Sequence, residues 1–336
     1  MRWLLALLLL TPMLAFAMPA RADEARPLYI EAKATSETTL DLAWRIPPNF
    51  APGAVPNLVL PADCNLDGSM RRWSDGIGHQ RTARFTCRQP LAGRGFTISY
   101  PMGNPNLPTI YRAVLPDGAA TIGMRLPGVT QIPFPAPTAE AQGTFTQYLV
   151  LGVEHIWLGF DHLLFVACLV WIAGHWRRVV ATVTGFTIGH SITLAVAALD
   201  IVAVPIRTVE VLIALSIVLL AVELARGRSD TITWRHPLAV SSGFGLLHGF
   251  GFAAVLKEVG LPQEGLLSAL LAFNLGIELG QLVFVAALMV LVTLLGLAAR
   301  RLLPLLDHER FAALPRLAAA YFIGITASYW MLQRAL

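Results

Sequence analysis

A chain of 336 residues that is 55% hydrophobic, only 14% charged and of mean hydropathy +0.61 has the composition of an integral membrane protein. Its formal net charge of +4 is no nucleic-acid footprint, because the basic residues fall in a polar N-terminal part or in short loops between apolar runs. No Walker A loop is present, so ATP hydrolysis by this chain is excluded.

Residues 1–22 read as a secretory signal, with Arg2 as the n-region, Trp3 to Leu10 opening the h-region and Ala20-Arg21-Ala22 as the cleavage site. An uncleaved helix is the alternative, against which Pro12 and Pro19 interrupt the run. The mature chain is expected to start at Asp23 in the periplasm. Two of three cysteines, Cys64 and Cys87, lie in this exported part and are expected to pair, whereas Cys168 lies in an apolar run.

Residues 23–137 read as a small exported domain of β-sandwich type. Thr39–Ile46 alternates Leu40, Leu42 and Trp44 with Asp41, Ala43 and Arg45, the pattern of a half-buried strand. Further strands are expected at 28–34, 57–60, 82–88, 95–100, 109–115 and 119–126, with Pro116-Asp117-Gly118 as a hairpin turn. Nothing there has catalytic spacing. The segment Ile132-Pro133-Phe134-Pro135-Ala136-Pro137 reads as a stiff linker.

Residues 145–336 read as an all-α bundle of six transmembrane helices, over about 147–172, 179–198, 205–225, 238–256, 266–298 and 312–333. Arginines gather in alternate loops: Arg177 and Arg178, then Arg226, Arg228 and Arg235, then Arg300, Arg301, Arg310 and Arg316. The other loops hold little beyond Arg207 and Lys257, with Arg334 near the end. That asymmetry places both termini outside, in the periplasm of a bacterial inner membrane. Gly245 and Gly249, and Gly276 and Gly280, are spaced for close helix packing in lipid.

The first apolar run carries Glu154, His155, Asp161 and His162. On one continuous helix, His155 and His162 share a face and Glu154 and Asp161 repeat the spacing on the adjoining stripe. Other spans contribute His190 with Thr187 and Ser191, then Glu210, His248, and finally Asn274, Glu278 and Gln281 on one face. Lipid gives such groups no partners, so a bundle must turn them inward. Neutral imidazoles suit Ni, Zn, Cu or Fe, which makes His155, His162, His190 and His248 candidate ligands. Asp161, Glu210 and Glu278 would supply charge or orient a ring. Glu154, Ser191, Asn274 and Gln281 are secondary polar groups, and interhelical hydrogen bonding is the plainer reading of Ser191 and Asn274. Cys168 reads as packing, His175 and His236 as boundary residues, and Asp307-His308-Glu309 as a solvated turn.

The membrane part resembles the HupE/UreJ family of hydrogenase- and urease-associated membrane proteins, which are regarded as nickel permeases. The resemblance lies in H-x5-D-H (His155, Asp161 and His162, with Gly159 in place), E-x-x-I-A-x-S (Glu210, Ile213, Ala214 and Ser216) and a later His-Gly (His248 and Gly249). Ile156 stands where many members have proline, and Gly251 where a glutamate is expected, a place Glu278 would fill. The exported domain marks the longer subgroup.

The resemblance implies a divalent-metal permease, with Ni²⁺ expected and Zn²⁺ the alternative, rather than an enzyme. Because imidazole binds metal unprotonated, uptake is expected to weaken as pH falls through about 6.5. An intramembrane metal-dependent hydrolase using His, Asp161, Glu278 and Ser191 is the second reading. A non-transporting scaffold whose β-domain binds a periplasmic protein is the third.

Overall fold

The computed structural model describes residues 27–47, 53–74, 78–103, 107–118, 120–125, 128–134, 144–199, 201–202, 204–259, 266–302 and 308–335. The expected signal at 1–22 and the linker residues 135–137 lie outside them.

Nine strands form the N-terminal domain: β1 (Leu28–Ala34), β2 (Thr39–Ile46), β3 (Asn57–Val59), β4 (Cys64–Ser74), β5 (His79–Cys87), β6 (Gly95–Ser99), β7 (Thr109–Val114), β8 (Ala120–Arg125) and β9 (Gln131–Pro133). They make a six-stranded sheet in the order β4-β5-β2-β1-β7-β8 and a three-stranded sheet β3-β6-β9. All pairs are antiparallel except β1 with β7. Alternation does its work in β2, where Leu40, Leu42, Trp44 and Ile46 are buried. They meet Leu58, Phe96, Ile98 and Ile132 of the small sheet in one shared core. The Pro-Asp-Gly turn joins β7 to β8, with Gly118 at φ 87° and its amide donating to Leu115 O at 3.0 Å. Cys64 and Cys87 stand opposite each other on β4 and β5 and are disulfide-bonded.

Two strands were not expected. β4 is an almost wholly exposed edge strand, with a register shift between Asp67 and Arg71, so it has no apolar period to read. β9 occupies the start of the presumed linker, where Ile132 is buried and the strand pairs with β6. Proline is tolerated there because β9 lies at the sheet edge.

The rest is helical: α1 (Thr144–Leu158), α2 (Phe160–Ala173), α3 (Trp176–Ala198), α4 (Ile206–Arg226), the short α5 (Ile232–Arg235), α6 (Pro237–Val259), α7 (Leu266–Leu302) and α8 (His308–Ala335). The first apolar run is not one helix. It breaks at Gly159, and α1 and α2 meet at 74°. Gly159 sits at φ −81°, ψ 86°, outside the helical region, with its amide still donating to His155 O at 2.9 Å. A Cβ there would stand 2.8 Å from His162 Nδ1, so glycine suits the corner.

Three helices are long and apolar enough to cross a bilayer, namely α3, α4 and Leu266–Ala298 of α7; the bent pair α1–α2 makes a fourth if taken as one span. The expectation of six spans is thus met only in part, although each expected segment is helical.

Glycines set the closest helix contacts. A side chain at Gly245 would strike Phe186 O, one at Gly249 would strike His190 O, and one at Gly276 would strike Leu149 O. Gly280 is looser, at 3.4 Å from Ile156 Cβ. α1 also covers the outer edge of β8: Gln147 Nε2 donates to Ala120 O at 2.8 Å, and Met124 N donates to Glu154 Oε2 at 3.0 Å. Tyr29, Ile110 and Met124 of the sheet share an apolar cluster there with Tyr148 and Leu151.

Candidate metal centre

Because of the break, His155 closes α1 and His162 opens α2 on the other side of the corner. Their rings meet edge to face, with centroids 4.8 Å apart. The shared-face reasoning for a straight helix therefore fails, while the pair itself is formed. His190 comes from the middle of α3, and His248 from α6, held near by the Gly249 contact with the His190 carbonyl. All four imidazoles are buried, between 0% and 8% exposed, although no lipid surrounds the chain here to hide them.

His155, His162 and His190 each offer a nitrogen within 4.8 Å of the others, a grouping able to hold a metal ion. Metal–nitrogen bonds of about 2.0–2.1 Å put tetrahedral ligands roughly 3.4 Å apart, so small ring rotations would close the set. The His248 ring lies 5.2 Å from that of His162. Aromatic rings wall the group: Phe252 is 4.0 Å from the His155 ring and stacks on Phe273, while Phe186 is 5.1 Å from the His248 ring. Among the described residues, His155 Nε2, both ring nitrogens of His162, His190 Nε2 and His248 Nδ1 are buried without a hydrogen-bond partner. Buried nitrogens in that condition are costly unless something occupies them, and a metal ion is the occupant their chemistry suits.

The carboxylates behave differently from the histidines. Asp161 Oδ2 accepts from Arg334 Nη2 at 2.8 Å in an ion pair whose side chains are 10% and 6% exposed. Arg334 Nη1 also donates to the backbone oxygen of Glu210 at 3.2 Å. Glu278 Oε1 accepts from Thr184 Oγ1 at 2.5 Å, and Thr184 is six residues, or about 9 Å of helix, from His190. Asp161, Glu210 and Glu278 therefore stand outside the three-imidazole group. Asn274 reaches it, with Oδ1 3.4 Å from His190 Nδ1, and Gln281 accepts from Thr187 Oγ1 at 3.1 Å. So the common face of Asn274, Glu278 and Gln281 does look onto α3. Ser191 spends its proton inside α3, on Thr187 O at 2.6 Å, and Glu154 faces β8 rather than the histidines.

Two residues of this region escaped sequence reasoning. Arg334 reads as a flanking charge three residues from the end of an apolar segment, and nothing in a single sequence separates an arginine that snorkels outward from one folded inward. Ser216, whose Oγ is 3.1 Å from His248 Nε2, entered only as part of a motif. Cys168 is buried in packing, as expected.

A family model described as HupE / UreJ protein matches residues 135–334, which takes in all eight helices and every site residue above. The chain belongs to the HupE/UreJ family. No curated protein and no solved structure matches it. In this HupE/UreJ chain the motif residues His155, His162 and His248 converge, and Asp161 beside them is neutralised by Arg334.

Proposed function

We propose that the chain is a divalent transition-metal permease of six spans, with both termini on the periplasmic side of a bacterial inner membrane, and that Ni²⁺ is its cargo. In this reading residues 1–22 are a signal, residues 23–137 an exported domain and residues 145–336 the membrane part. The observation that carries it is the gathering of three buried imidazoles from α1, α2 and α3, with His248 of α6 beside them. Family membership adds that metals of the nickel and cobalt kind are the cargo to test first.

The chemistry fits a transported ion. Uncharged nitrogen donors bind borderline cations well enough to extract them from water, and the wall of phenyl rings excludes competing solvent. His155 and His162 are the first ligands, His190 completes the set and His248 stands ready as a fourth. Asn274, the Thr187–Gln281 pair and the Thr184–Glu278 pair form a polar row along α3 leading away from the histidines, which supports an onward route to the cytoplasm. Arginines in alternate loops support the orientation.

Uptake of radioactive Ni²⁺ by cells producing the protein tests the proposal. Accumulation should exceed that of cells lacking the chain, should fall to that background in His155→Ala and His162→Ala, and should decline as the medium is acidified through about 6.5. Excess Zn²⁺ that abolishes Ni²⁺ accumulation without itself being blocked by Ni²⁺ would reassign the cargo. Undiminished accumulation in both histidine variants would refute the site.

A further inference from the structure

We infer that Asn274 and Ser216 are positioning residues that fix the ring tautomers of His190 and His248, each leaving one chosen nitrogen bare for the metal. The ligand half of this inference rests on the metal site proposed above; the tautomers themselves follow from hydrogen bonds alone.

Asn274 Nδ2 donates to Leu270 O at 2.8 Å, which settles which end of the amide is oxygen. Its Oδ1 lies 3.4 Å from His190 Nδ1. A carbonyl oxygen only accepts, so Nδ1 holds the proton of the neutral ring and Nε2 keeps its lone pair. That Nε2 is buried and has no partner among the described residues.

Ser216 gives the same answer by a different route. A hydroxyl has one proton, and Ser216 Oγ donates it to Ile213 O at 2.6 Å. Its contact with His248 Nε2 at 3.1 Å must then be one that the hydroxyl accepts. His248 is thereby protonated on Nε2 and bare on Nδ1, and Nδ1 is the nitrogen without a partner among the described residues.

His190 is thus prepared to bind through Nε2 and His248 through Nδ1. A ring of the other tautomer would present an N–H to the ion and would have to shed it first. Partners of this sort are worth about 10–100-fold in metal affinity. Both Asn274 and Ser216 are buried, so water does not replace them readily when they are removed.

The test uses full-length protein in lipid nanodiscs with ¹⁵N-labelled histidine rings, without metal and then titrated with Co²⁺, whose visible absorption reports nitrogen ligation. Without metal, His190 should show a protonated Nδ1 and bare Nε2, and His248 the reverse. Asn274→Leu and Ser216→Ala should mix the tautomers of their own histidine only and weaken Co²⁺ about 10–100-fold. Asn274→Asp and Ser216→Thr, which keep an acceptor, should restore both. Mixed or opposite tautomers in the wild type overturn the inference whatever the variants do, and so does undiminished Co²⁺ affinity in both Asn274→Leu and Ser216→Ala. A wild type that takes no Co²⁺ overturns the metal-site reading and the ligand half with it, while the nitrogen shifts still decide the tautomers.

Discussion

Arg334 and Asp161 form a buried ion pair between the two ends of the helical part, 173 residues apart in the chain. Removing one partner of such a pair leaves the other charge stranded, which costs about 3–5 kcal/mol, whereas replacing both by neutral groups costs far less. Arg334→Met and Asp161→Leu should each lower the midpoint of detergent-denaturant unfolding by an amount of that order. The double variant should recover most of the loss. Additive losses in the double variant would show that the pair is not coupled. At this scale the four histidines were legible because an imidazole in an apolar run has few other uses. The pairing of Asp161 was not, since it depends on which way one terminal arginine folds.

Elements owe their arrangement to the places where side chains are missing. Gly249 lets α6 press against the His190 carbonyl of α3, so this contact sets the distance between His190 and His248. Gly249→Leu should force the two helices apart, and the expected outcome is a loss of Co²⁺ or Ni²⁺ binding in purified protein together with lower thermal stability. Gly296, where an added Cβ meets nothing within 4 Å, is the control site, and Gly296→Leu should leave both unchanged. The glycine spacing could be read directly from the chain. The corner at Gly159 could not, because hydropathy alone runs unbroken through residues 148–172 and a glycine in such a run is compatible with either a straight or a bent path. β1 and β2 were equally readable from their alternation. β4, exposed on nearly every residue, offered no period at all.

For the molecule as a whole, the sheet domain carries its own pH response. Arg94 hydrogen-bonds the Asp63 carboxylate and, with the amide of Gln89, holds its pKa down to about 2. The folded value lies below the usual carboxylate value of about 3.9, so the pair supports the fold above about pH 4 and that support is lost as pH falls toward 2. Comparing Asp63→Asn with the wild type in denaturant from pH 7 to pH 2 should show a gap that closes over that window. A gap that is constant down to pH 2 would remove Arg94 as its cause.

The two halves of the chain meet on α1. Glu154 takes the amide of Met124 at the rim of the sheet, and the very next residue, His155, stands among the imidazoles. One peptide bond separates the anchor from the grip, and no slack loop lies between them to absorb a displacement. Any tug on the outer sheet, from a docking protein or from its own tumbling, arrives at the innermost ring undamped.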